Sequence, residues 1–309
     1  MAGDTQLNNL GRAMSPNPRR ILLIGASGTI GRATARQLSA RGHHIICPIR
    51  RSAKRANASG ADARFRMSAK ATVYFGNITD PEGVAAIMSE HGPFDAVISC
   101  LASRTGAPRD AWAIDYQAHM TVLEAARKAG VTQFILLSAI CVQKPLLAFQ
   151  HAKLAFEKKL MESGLCYSIV RPTAFFKSLS GQVERVRRGK PFLIFGNGEL
   201  TACKPISDDD LAEYIALCLD QQDKQNRILP IGGPGPAITP RDQGNALFQM
   251  TGMKPRFRSV SPALLTTAAA GLNFAGRLMP KLETKAELAK IGHYYATESM
   301  LVLNPATGC

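Results

Sequence analysis

At 309 residues, 46% hydrophobic and 20% charged, the chain has the composition of an ordinary globular protein, long enough for a nucleotide-binding domain and a smaller lobe. No uninterrupted apolar run approaches the ~20 residues that cross a bilayer, and residues 1–18 lack the apolar core of a secretory signal and read as a disordered tail. The net charge of +15 is concentrated between Arg32 and Lys70, where ten Lys/Arg face one acid, Asp62; without a nucleic-acid-reading motif, this patch implies a polyanionic cofactor, an acidic substrate or a solvated basic face, and no nucleic acid.

RRILLIGA (19–26) is a short apolar run closed by glycine and predicts a buried strand. Thr29 to Arg41 is amphipathic and stops at Gly42, as a helix would. HHIICPIR, ATVYF (71–75) and FDAVISCLA (94–102) predict three further strands. Before the last of these, Asp80 and Pro81 stand at the N-cap and first position of a helix. A long helix is predicted over 112–130, ended by Gly130, then a fifth strand in QFILLSAICV and a helix in PLLAFQHAKLAFEKKLMESG. A sixth strand, LCYSIVRP, is expected to stop before Pro172.

This alternation implies parallel strands joined by right-handed crossovers, hence an α/β fold with a Rossmann-type doubly wound sheet. The expected layout is a nucleotide domain over 19–171 and a substrate-binding region over 172–309, partly interleaved with the sheet. Ser207 caps a predicted helix over 207–220 in that second region. LLTTAAAGLNFAGRLMP (264–280) is interrupted by Gly and Asn, so a substrate-lobe helix is expected there rather than a membrane anchor. The seven cysteines form neither a CxxC pair nor a Cys/His cluster, so neither a metal nor an iron–sulfur cluster is expected. Redox chemistry here requires a bound organic cofactor.

The loop Gly25-Ala-Ser-Gly28-Thr-Ile-Gly31 follows a predicted strand and opens a predicted helix, the context in which glycine spacing signals a dinucleotide site. Gly25 permits the turn, Gly28 lets backbone approach the pyrophosphate, and Gly31 lets helix pack on strand. About twenty residues on, an acid would bind the ribose 2′-OH of NAD; Arg50 and Arg51 stand there instead, followed by Lys54 and Arg55. Guanidinium groups suit a 2′-phosphate, so the expected cofactor is NADPH. Arg32 is placed to reach the same phosphate from the helix.

The GxxGxxG spacing resembles the short-chain dehydrogenase/reductase superfamily, in its extended and atypical branches. That resemblance implies cofactor contacts from the loop residues Ser27, Thr29 and Ile30, from Asn77 and Ile78 beside the adenine, from Cys100, Leu101 and Ala102 after the fourth strand, from Ser138 after the fifth and from Pro172. The superfamily normally carries Tyr-x-x-x-Lys on the next helix; here the pattern reads Phe149-Gln-His-Ala-Lys153. None of the six tyrosines has a lysine four residues later. Lys153 still suits the nicotinamide ribose and is a candidate proton donor, but the phenol that serves a carbinol oxygen is missing. Carbonyl chemistry and sugar epimerisation are therefore disfavoured. Two classes remain: reduction of a conjugated C=C bond, and a non-catalytic NADP sensor of the NmrA kind.

Longer strings decide between them. LSAICVQKPLL with FQHAKLAFE, YSIVRPTAFFKSLSGQVE, ACKPISDDDLA, ILPIGGPGPAITPRDQG and GHYYATESMLVLNPATG resemble the divinyl chlorophyllide a 8-vinyl-reductases, from about Arg20 to Gly308. The resemblance implies an NADPH-dependent, cluster-free reductase that converts the C8 vinyl group of divinyl chlorophyllide or protochlorophyllide to ethyl. Hydride is expected at the terminal vinyl carbon and a proton at the inner one, from water, Lys153, His151 or Lys144. Phe149, Phe175 and Phe176 are the expected macrocycle contacts, and Lys177 or Arg185 meets the substrate's propionate. The plant members carry a long transit peptide, so its absence here implies a bacterial, cytoplasmic protein with peripheral contact to the photosynthetic membrane. A monomer and a small homo-oligomer both fit.

Overall fold

The β-branched and leucine-rich runs become strands because both faces of each are covered, which lets a parallel sheet carry unbroken apolar sequence. A computed structural model of the protein describes residues 17–50, 70–261, 263 and 280–303. The elements of the first half are β1 (Arg20–Ile24), α1 (Thr29–Ala40), β2 (His44–Ile49), β3 (Ala71–Phe75), α2 (Pro81–His91) and β4 (Ala96–Ser99). They continue as α3 (Pro108–Ala111), a π-helical segment (Trp112–Ala118), α4 (His119–Lys128), β5 (Gln133–Leu137), α5 (Ala148–Met161) and β6 (Cys166–Pro172).

The second half supplies α6 (Phe176–Leu179), α7 (Val183–Arg187), β7 (Phe192–Phe195), α8 (Asp208–Leu217), β8 (Arg227–Ile231), α9 (Pro240–Thr251), β9 (Phe257–Val260) and α10 (Pro280–Thr297). The main sheet runs β3-β2-β1-β4-β5-β6-β8 with every neighbouring pair parallel. Strand order reverses between β1 and β4, so the crevice beyond their carboxyl ends is where a doubly wound sheet binds its ligand. Strands β7 and β9 form a separate parallel pair. With α7 and α9 they enclose a small apolar cluster of Val186, Phe192, Ile194, Leu247 and Phe248.

Two layers of core flank the main sheet. On one face α1 and α8 cover Ile21, Leu23, Ile45, Ile98 and Ile135; on the other, α2, α4 and α5 cover Leu22, Ile24, Val97, Phe134 and Ile169. The two sets alternate along β1, as the two-residue period of a strand requires. Cys47 and Cys218 lie in the first layer, and the six described cysteines are all free thiols. Burial pushes both of these thiols up to about 12, which keeps them protonated and inert.

Three boundaries differ from the sequence expectation. Strand β6 runs through Pro172, which pairs with Ile231; a proline forces its predecessor into extended geometry, which prolongs a strand rather than ending it. The fifth strand stops at Leu137, and Ile140–Gln143 turns as a short 3-10 helix. The long helix begins at Pro108 and contains the seven-residue π segment, which the apolar spacing did not signal. The segment 264–280 falls almost wholly outside the described residues. Among the described residues, no helix is long and apolar enough to cross a membrane.

Candidate active site

The glycine loop sits at the β1/β4 switch. Gly25 has φ of +77° and lies against the backbone of Cys100, so a Cβ there would stand 2.4 Å from the Cys100 carbonyl carbon. A Cβ on Gly31 would stand 2.3 Å from the Gly25 carbonyl oxygen. Both glycines are therefore required by close backbone approach, not by sequence habit. Helix α1 begins after Gly28 with no side-chain cap and no acid in its first turn. Its first amides and positive dipole end are left for an anion, which fits a pyrophosphate.

From this loop a cavity of about 1270 Å³ extends across the sheet edge to α10, beyond the roughly 300–1,000 Å³ usual for one small ligand. Thr29, Ile30, Cys100, Leu101 and Ala102 line the loop end. Ser138, Phe149, Lys153 and Pro172 follow, and Phe175, Leu193, Ile291 and Tyr295 line the rest, a chamber toward the second half of the chain. Ser138 is 5% exposed, and its Oγ has no hydrogen-bond partner among the described residues. A buried hydroxyl facing a cavity without a protein partner fits a ligand that supplies one.

The remaining expected contacts are placed differently. Ser27 and Asn77 are exposed, and Asn77 uses its Oδ1 to accept from the backbone and hydroxyl of Thr79. Ile78 is buried in the α2 face of the core, not against the cavity, because its side chain completes the packing of Leu22, Val84 and Ile87. Phe176 points away from the lining and is 54% exposed, so of the phenylalanine pair only Phe175 faces the chamber. Lys177 also lines the cavity, and it reaches back to donate to the Thr29 hydroxyl at the start of α1, which puts its charge at the glycine-loop end. Arg185 donates to the Pro191 carbonyl at 2.7 Å, and Lys144 pairs with Glu298 at 3.0 Å. His151 is exposed, and so is Arg50, directly after β2. Arg51, Lys54 and Arg55 lie outside the described residues.

Lys153 is held by a partner that sequence reasoning missed. Its Nζ stands 3.0 Å from Asp115 Oδ1, and Asp115 is 1% exposed. The π segment carries Asp115 and packs on α5, which carries Lys153. Asp115 Oδ1 also accepts from the Ser103 amide at 3.3 Å, tying the pair to the loop after β4. The two residues are thirty-eight apart in sequence, and no local pattern links them.

Behind that loop lies a buried relay. His119 Nδ1 is 2.9 Å from the Ile114 carbonyl, which only accepts, so Nδ1 carries the proton. Nε2 then accepts from Ser99 Oγ at 2.7 Å, and Ser99 Oγ in turn accepts from the Leu101 amide. Burial, reinforced by the Lys153 charge, pulls the imidazole down to about 4. The unfolded imidazole takes its proton near 6.5 and the folded one resists it, so protonation favours unfolding. The stability that neutral His119 supplies is complete above pH 6.5 and is lost as the pH falls from there to about 4. Urea unfolding between these limits is expected to show a loss of roughly 3 kcal/mol that His119→Gln removes; an unchanged slope in that variant would refute the assignment.

Comparison with known proteins agrees with this geometry. The NAD(P)H-binding family model matches residues 25–222. The divinyl chlorophyllide a 8-vinyl-reductase of Oryza sativa subsp. indica is 48% identical over 302 residues, spanning 96% of this chain and 75% of that protein. Its Zea mays counterpart is 48% identical over 303 residues, again 96% of this chain and 75% of the relative; both are chloroplastic. Among solved structures, UDP-glucose 4-epimerase from Thermotoga maritima aligns with a TM-score of 0.66 at 23% identity, covering 78% of this chain and 85% of that one, a likeness of fold alone. The chain thus belongs to the NAD(P)H-binding proteins and, within them, to the divinyl chlorophyllide a 8-vinyl-reductase family.

Proposed function

We propose that the protein reduces the C8 vinyl group of divinyl chlorophyllide to ethyl at the expense of NADPH. The observation that carries this reading is the cavity, with an anion-ready glycine loop at one end, Lys153 in the middle and a largely apolar chamber at the other. Phe149 lines it where carbonyl reductases of this fold would place a phenol, which favours a substrate with no oxygen at the reacting carbon. The relatives' names identify such a substrate, a conjugated macrocycle with a vinyl substituent.

NADPH, when bound, supplies the hydride. Gly25, Gly28 and Gly31 keep the backbone clear for its pyrophosphate, and Lys177 over Thr29 adds charge at the same end. Arg50, with Arg51 beside it in sequence, is our candidate for the 2′-phosphate. Lys153, fixed by Asp115, is the candidate for the ribose hydroxyls. The protein's share of the rate is then mainly positioning of donor and acceptor in a largely apolar chamber.

The test is direct: purified protein is mixed with NADPH and 8-vinyl chlorophyllide, and the pigment's absorption shift and NADPH oxidation are followed together. Turnover with NADPH and at least tenfold less with NADH is expected. Protein that binds NADPH yet leaves the pigment unchanged would instead be a sensor of the NmrA kind, and equal use of NADH would remove the role given to Arg50.

A further inference from the structure

Each vinyl group that accepts a hydride must also accept one proton, and α5 carries no phenol to give it. We propose that Tyr295, on α10, is the acid that protonates the inner vinyl carbon. This rests on the reductase reading above. Helix α10 reaches the cavity through one face, where Ile291 and Tyr295 stand one turn apart. The Cδ1 atoms of Ile291 and Phe149 both lie close to where a Cβ on Gly106 would be, at 2.9 and 3.3 Å, so they meet over the same glycine. Tyr295 therefore enters on the Phe149 side of the chamber, from the substrate region rather than from α5.

Its neighbour fixes it there. Tyr294 is 3% exposed, and its hydroxyl lies 3.0 Å from both the Cys141 and Lys144 carbonyls, pinning α10 to the turn after β5. Tyr295 is 46% exposed and lines the cavity beside Cys141. Although nearly half of the residue is open, desolvation around its hydroxyl holds the phenol above the usual tyrosine range, so it rests with its proton in place.

Other donors in the lining are less suited. Lys153 would leave the buried Asp115 carboxylate without its counter-charge on giving up a proton. Glu298 is engaged by Lys144 at 3.0 Å. Serine and threonine hydroxyls are weaker acids than a phenol, even one raised by its surroundings. In the proposed step hydride bonds to the terminal carbon and the C=C pair moves to the inner carbon and the macrocycle. The Tyr295 O–H bond then breaks as a C–H bond forms, and water returns a proton to the phenolate. The sum is one NADPH and one proton consumed per vinyl group.

The experiment runs wild type and Tyr295→Phe with NADPH and 8-vinyl chlorophyllide in D2O. The variant is expected to lose roughly 10²-fold or more in kcat, with KM and NADPH affinity within twofold of wild type. Wild-type product should carry deuterium on one face of the new methylene, and Tyr295→Phe product on both faces, because water then delivers it. A variant with kcat within threefold and one-faced deuterium overturns the assignment while leaving the reductase reading intact; an inactive wild type overturns both. If the phenylalanine variant loses NADPH binding, Tyr295→His is compared with Tyr295→Leu, and equal turnover of these two overturns the assignment.

Discussion

Gly31→Ala is expected to raise the Kd for NADPH by at least 100-fold and to lower the stability of the fold. The added methyl would meet the Gly25 carbonyl oxygen at 2.3 Å, the Ala26 Cα at 2.8 Å and the Gly25 carbonyl carbon at 2.9 Å. All three are backbone atoms, so no side-chain rotation relieves the contact, and α1 has to withdraw from β1. Overpacking of this kind typically costs about 1–3 kcal/mol. The withdrawal also moves the first amides of α1 off the pyrophosphate position, and a 100-fold loss there corresponds to roughly 2.7 kcal/mol. Gly28→Ala separates the two effects: its Cβ meets only the Gly25 oxygen, at 3.3 Å, in ordinary backbone geometry, so it is expected to weaken NADPH binding while leaving the stability of the fold near wild type. NADPH fluorescence titration and urea unfolding measure the two effects. Binding by Gly31→Ala within threefold of wild type would mean that the loop does not hold the cofactor.

The second large effect belongs to the Lys153–Asp115 pair. Lys153→Ala strands a carboxylate that is 1% exposed and whose Oδ2 already lacks a partner among the described residues. Removing one member of a buried pair costs roughly 3–5 kcal/mol, whereas replacing both by uncharged groups of similar shape costs far less. The double variant Lys153→Met/Asp115→Asn is therefore expected to be more stable than Lys153→Met alone. A urea double-mutant cycle reads the coupling. Both variants should lose turnover, because neither keeps the ammonium. If Lys153→Ala unfolds within 1 kcal/mol of wild type and keeps full activity and NADPH affinity, the pair is neither buried in effect nor used.

Much of the frame was legible because local chemistry and tertiary structure agree. ATVYF became β3 at the expected residues, and Asp80 caps α2 by accepting from the Glu82 amide. Ser207 caps α8 through the Asp210 amide. The glycine loop was legible for the same reason: its spacing reports backbone clashes that involve only residues near the turn and the end of the next strand.

What stayed hidden depends on contacts between distant segments. Asp115 looks like any acid on a helix until α5 brings Lys153 to it. RILPI, with Pro230, does not read as a sheet strand, yet β8 sits at the sheet edge, where a missing N–H is tolerated. Phe175 and Phe176 are indistinguishable in sequence, and only the turn into α6 sends one to the chamber and the other to solvent. Tyr294 and Tyr295 divide their roles in the same way, one as an anchor and one facing the cavity.

The return of β8 to the main sheet bears on how the chain is made. On the ribosome, the outer edge of β6 has no partner until residues 227–231 have emerged. At ~5–20 residues per second that interval lasts roughly 3–12 s. Through it the nascent protein exposes an apolar strand edge, a template for pairing with another chain. A gene cut after residue 171 would make this state permanent, and its product is expected to aggregate or remain chaperone-bound where the full chain stays monodisperse in size-exclusion chromatography. Synthesis of the nucleotide half is thus not finished when its last glycine-loop neighbour is in place; it waits on a strand encoded among the substrate-facing residues.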